Sequence, residues 1–81
     1  GQGDADRAIT VFQQARAMNP NNPDVHLNLA NAFLVANQAV PAASHAAEAV
    51  HLEPGNPAAH YLLGCALLRQ GLWTNALQSL Q

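Results

Sequence analysis

The chain has 81 residues, 49% of them hydrophobic and only 10% charged, which fits one small domain with a largely neutral surface. Three arginines, no lysine and five carboxylates leave a net charge of −2, too little positive charge to line a phosphate backbone, so nucleic-acid partners are excluded. No apolar run approaches the roughly 18 residues of a membrane span and no export signal stands within these residues, while the lone Cys65 allows no internal disulfide and suits a cytoplasmic setting in preference to a periplasmic one.

Apolar residues at helical spacing predict a first helix over roughly residues 5 to 18, carrying Ala8, Phe12 and Ala15. Asn19-Pro20-Asn21-Asn22-Pro23 then punctuates the chain. Its first proline stops the helix, an asparagine caps the next one, and Pro23 occupies the first helical position, where a missing N–H costs nothing. A second helix follows over roughly 23 to 36, and Asn37 offers a left-handed residue to end it. The third helix spans roughly 40 to 52 and closes on Glu53-Pro54-Gly55-Asn56-Pro57, a second turn of the same grammar. Helices over roughly 57 to 70 and 73 to 81 complete the series, separated at Gly71, and no stretch alternates as a strand would.

These elements recur with a period of 34 residues. Pro20 and Pro54, Pro23 and Pro57, His26 and His60, and Leu29 and Leu63 are pairs at that spacing, and Ala8, Ala42 and Ala76 form a triple. A repeating helix pair cannot bury its apolar face alone and must stack on its neighbour. Small residues at 30, 42, 49, 64 and 76 let paired helices approach, and Leu29, Phe33, Leu63, Leu67, Phe12 and Leu80 fill the seams. Ala46 stands where Phe12 and Leu80 are large, so the middle unit is expected to be locally loose.

Leu29-Ala30, Phe33, Ala42, Ala49 and Pro54, repeated as Leu63-Gly64, Leu67 and Ala76, resemble the tetratricopeptide repeat. The resemblance covers nearly the whole chain and implies an all-α, right-handed helical-hairpin solenoid of antiparallel pairs. Its register divides the chain into 1–22, the second helix of a preceding repeat; 23–56, a complete repeat; and 57–81, an incomplete one. Gln2-Gly3 matches Gln70-Gly71, so the chain is expected to begin within a repeat, to continue at both ends in the native protein, and to expose Ile9, Phe12, Leu77 and Leu80 there. End-to-end self-association is a further expectation.

Catalytic and metal constellations are absent from the pattern. His26 and His60 occupy equivalent places one repeat apart, too distant to share a metal, and read as seam residues. His45, Glu48 and His51 spread across a wide arc of one helix, since steps of three residues fall about 60° short of a turn. Cys65 and His60 diverge by about 140° and cannot act as nucleophile and base. No cofactor, no metal and no enzyme activity are expected.

In the family this chain resembles, the first helix of each pair lines a groove that holds a peptide or partner helix. Carried over by alignment, the groove positions are Asp24, Leu27, Asn28, Asn31, Leu34 and Val35 from one unit, and Ala58, Tyr61, Leu62, Cys65, Leu68 and Arg69 from the next. A lysine-based clamp for carboxylate tails is disfavoured, because Leu27 replaces the needed lysine and Leu62 a needed asparagine. The reading is a protein-interaction scaffold for a neutral or apolar segment, with Asn28 and Asn31 bonding its backbone. Two alternatives stay open: permanent packing in a larger assembly, and a regulatory array on an enzyme domain outside this chain.

Overall fold

The computed structural model describes residues 2–80, with side chains described for 3–71. Four helices follow one another: α1 (Gln2–Met18), α2 (Pro23–Val35), α3 (Ala39–Leu52) and α4 (Pro57–Leu80), with no strand among the described residues. Each packs on its neighbour in chain order, and α2 also touches α4. The result is a slab of 44 × 32 × 17 Å, a helical-hairpin repeat array.

The inter-repeat turns form as their residues dictate. Asn22 caps α2 by accepting from the Asp24 N–H at 2.9 Å, with Pro23 in the first turn. Asn56 repeats the bond to the Ala58 N–H at 2.9 Å. Within the first repeat, Asn37 adopts φ 61°, the left-handed conformation. The Asn37 N–H donates to the Leu34 carbonyl and the Gln38 N–H to the Phe33 carbonyl, at 3.0 and 2.8 Å, closing the end of α2 as a Schellman motif. Arg69 from α4 adds a guanidinium N–H to the same Leu34 carbonyl at 2.7 Å, a cation at the negative end of the helix dipole.

Small residues dominate the core. Leu29, Ala30, Ala42, Ala46, Ala49, Ala59 and Ala66 are all 1% exposed or less. Ala46, where looseness was expected, is wholly buried. Ile9 and Phe12, expected to be bare, are half-buried and pack against the Val25, Leu29 and Phe33 core, because α2 covers that side of α1. Leu77, Leu80 and the expected approach of Gly64 to Ala76 lie outside the described side chains.

One expectation is overturned. The break at Gly71 is not made, and the fourth and fifth expected helices are a single 24-residue helix. No glycine has positive φ among the described residues. The register mate of Pro41 explains the difference. A helix running from α2 into α3 would need the Pro41 N–H that does not exist, and the ring would strike the Asn37 carbonyl, at a cost of about 3 kcal/mol. Position 75 holds Asn, which imposes neither penalty.

The missing reversal is visible in burial. Val25 and Ala59, and Ala32 and Ala66, are buried in both units. His26, Ala30 and Phe33 are buried, whereas their mates His60, Gly64 and Leu67 are exposed. Leu67, read from sequence as a seam filler, is 53% exposed because α4 runs straight on where α2 turns back into α3.

These geometries predict opposite outcomes at matched positions. Gly71→Ala, in a helical glycine whose added methyl meets nothing within 4 Å, is expected to raise stability by about 0.5–1 kcal/mol. Asn37→Ala is expected to lower it by about 1 kcal/mol, and Asn37→Gly to preserve it. Urea unfolding measures all three, and a destabilising Gly71→Ala would show a left-handed turn at that residue.

Candidate functional site

The face of α2 that carries the aligned groove residues is partly concave. Asn28, Asn31 and Val35 border a cavity of about 310 Å³ whose opposite wall is α1, contributing Asp4, Ala8 and Phe12. Sequence reasoning placed no α1 residue in the groove. The legible signal was the small pair Ala5 and Ala8, which leaves room between the helices.

The other aligned residues divide by burial. Asp24 and Ala58 are exposed in first helical turns, where their backbone N–H groups are held by the capping asparagines. Leu27 is half-buried. Leu34 lies in the core, and Leu62 and Cys65 are half-buried against it, so these three support the face from beneath. Val35, Tyr61 and Leu68 stand out at 64%, 71% and 64% exposure. Arg69 is exposed but committed at one nitrogen to the end of α2.

A second cluster lies on the α2–α3 seam. His26, only 4% exposed, approaches the Pro20 carbonyl through Nε2 at 2.7 Å. A carbonyl only accepts, so Nε2 carries the proton and a neutral His26 presents a bare Nδ1. That atom lies 3.2 Å from His45 Nδ1, which must therefore be the donor. The rings stack with centroids 5.4 Å apart, and Phe33 stacks on His45 at 5.6 Å. Burial, then the neighbouring His26, then Arg16 hold His45 below the usual histidine value of 6.5, with Glu48 opposing.

His60 repeats the first bond, its Nε2–H donating to the Pro54 carbonyl at 2.6 Å. Each repeat thus ties its turn to the helix six residues on. The pairing of His26 with His45 was missed in sequence, although an antiparallel register setting Ala30 opposite Ala42 sets His26 opposite position 46. Among the described residues, no three His, Cys, Asp or Glu side chains gather as a metal site. No helix is long and apolar enough to cross a membrane among those residues.

Family models of the tetratricopeptide repeat match residues 1–44 and 37–81. No curated protein sequence matches the chain. The chain belongs to the tetratricopeptide repeat family, whose repeats generally mediate protein–protein interactions and are typically non-catalytic scaffolds. Its capping asparagines set the direction of each first helix, so Asn22→Ala is expected to lower stability by about 1 kcal/mol in thermal unfolding, and Asn22→Asp by less.

Proposed function

We propose that this tetratricopeptide repeat chain is an interaction scaffold that holds a neutral or apolar partner segment along α2 and the first half of α4. The observation that carries the reading is the exposure of Val35, Tyr61 and Leu68 on first helices, with Val35 bordering, beside Asn28 and Asn31, the concavity shared with α1. Apolar side chains supply area to cover, and the two asparagines supply donors and acceptors for an extended backbone. We assign residues 1–22 to the second helix of one repeat, 23–56 to a complete repeat and 57–81 to a further unit.

A second reading, permanent packing within an assembly, is favoured by Leu67. Its mate Phe33 is buried by α3, and the equivalent surface of α4 presents an exposed leucine. The two readings use different faces and separate by experiment. Replacing Leu27 and Tyr61 by Glu is expected to weaken capture of a partner by more than about tenfold, or about 1.4 kcal/mol, with helicity retained. Leu67→Glu is expected to leave that capture unchanged and to suppress any self-association seen in sedimentation over a wide concentration range. Undiminished capture by the folded double variant would remove the α2–α4 face from the account.

A further inference from the structure

We infer that the His26–His45 pair is a proton-sensitive latch on the α2–α3 hairpin, closed while the pair shares one bridging hydrogen and opened when both rings become charged. The latch follows from which atoms can carry hydrogen. Pro20 requires a proton on His26 Nε2, so the bridge at 3.2 Å holds a single hydrogen, donated by His45 Nδ1. One further proton can settle on the remaining His45 nitrogen without breaking the bridge. Another would set two N–H groups face to face in a part-buried seam.

The surroundings oppose charge at this place. Arg16 reaches it from α1 and His26 from α2, and both disfavour a cationic His45, while Glu48 on α3 favours one; no charged group of α4 takes part among the described residues. Protons have access, because the cluster opens on a cavity of about 370 Å³ bordered by Arg16, Ser44 and Glu48. Phe33 stacks on His45, so opening the bridge also uncovers the aromatic ring that fills the seam.

The direction of the pH effect follows from the bridge, which admits one added proton to the pair and refuses the second, and the depressed pKa of His45 has the same sign. A histidine held below 6.5 stabilises the fold fully above that value and progressively less as the pH falls through it toward the native-state value, since the unfolded chain then binds the proton more readily. One proton refused by the folded state lowers the ratio of folded to unfolded chain by up to about thirtyfold between about pH 7.5 and about pH 5.

The test is urea unfolding of the chain at those two pH values. The wild type is expected to lose up to about thirtyfold in folding equilibrium. His45→Asn is expected to lose no more than about threefold, because its amide donates to a neutral His26 and, turned over, accepts from a charged one. His51→Asn, at an exposed histidine of the same helix, is expected to behave as the wild type. A flat wild type, or an equal loss in His45→Asn, overturns the latch. Nitrogen-15 spectra of the wild-type rings near pH 7.5 give a readout independent of any variant: Nε2–H on His26 with Nδ1–H on His45 supports the bridge, and Nε2–H on His45 overturns it.

Discussion

The reversal between α2 and α3 depends on a nitrogen that has no hydrogen. Pro41 makes a continuous helix through residues 37–41 untenable, and Asn37 accepts the left-handed conformation that lets the chain turn back. Once it turns, the register follows. Alanines 30, 42, 46 and 49 come to lie in a wholly buried seam, Phe33 meets His45, and His26 reaches His45. None of these contacts is strong alone; closing the hairpin makes them together, which is how an alanine-rich chain with few large apolar residues gathers a core.

The second unit shows what the same surface does without the reversal. Its first helix carries His60, Gly64 and Leu67 at the places of His26, Ala30 and Phe33, and it makes the same asparagine cap and the same histidine bond to a proline carbonyl. Those features are local and survive. Burial of that stripe is not local, and it is absent where α4 continues straight. The side toward the preceding helix, α1 for α2 and α3 for α4, behaves alike in both units, as Val25 with Ala59 and Ala32 with Ala66 show. Coverage from the preceding helix and coverage from the following helix are therefore separable, and only the second depends on the turn.

The sequence made the period, the capping asparagines, the left-handed Asn37 and the helical class legible, because each rests on residues close together in the chain. It misled at Gly71, where a residue that permits a turn was read as one that requires it; the requirement sat four residues on, in the contrast between Pro41 and Asn75. Of the residues aligned to the candidate face, Val35, Tyr61 and Leu68 are exposed. Alignment could not tell Leu34 or Cys65 from their exposed neighbours, because burial there depends on how two first helices lie against each other. The α1 wall of the cavity was hidden for the same reason.

The histidine pair adds a constraint that alanine packing lacks. Small apolar side chains slide past one another at little cost, so a seam built from Ala30, Ala42, Ala46 and Ala49 specifies closeness better than it specifies register. His26 and His45 supply direction. A bond from Nε2 to the Pro20 carbonyl fixes one ring against the preceding turn, and the Nδ1 bridge then admits His45 in one tautomer and one place. A shift by one residue along α3 would break the bridge and part both nitrogens from their present partners in a part-buried seam. The pair thus ties the turn before α2, α2 itself and α3 into one register, and the same requirement for a single bridging hydrogen makes that register sensitive to protons.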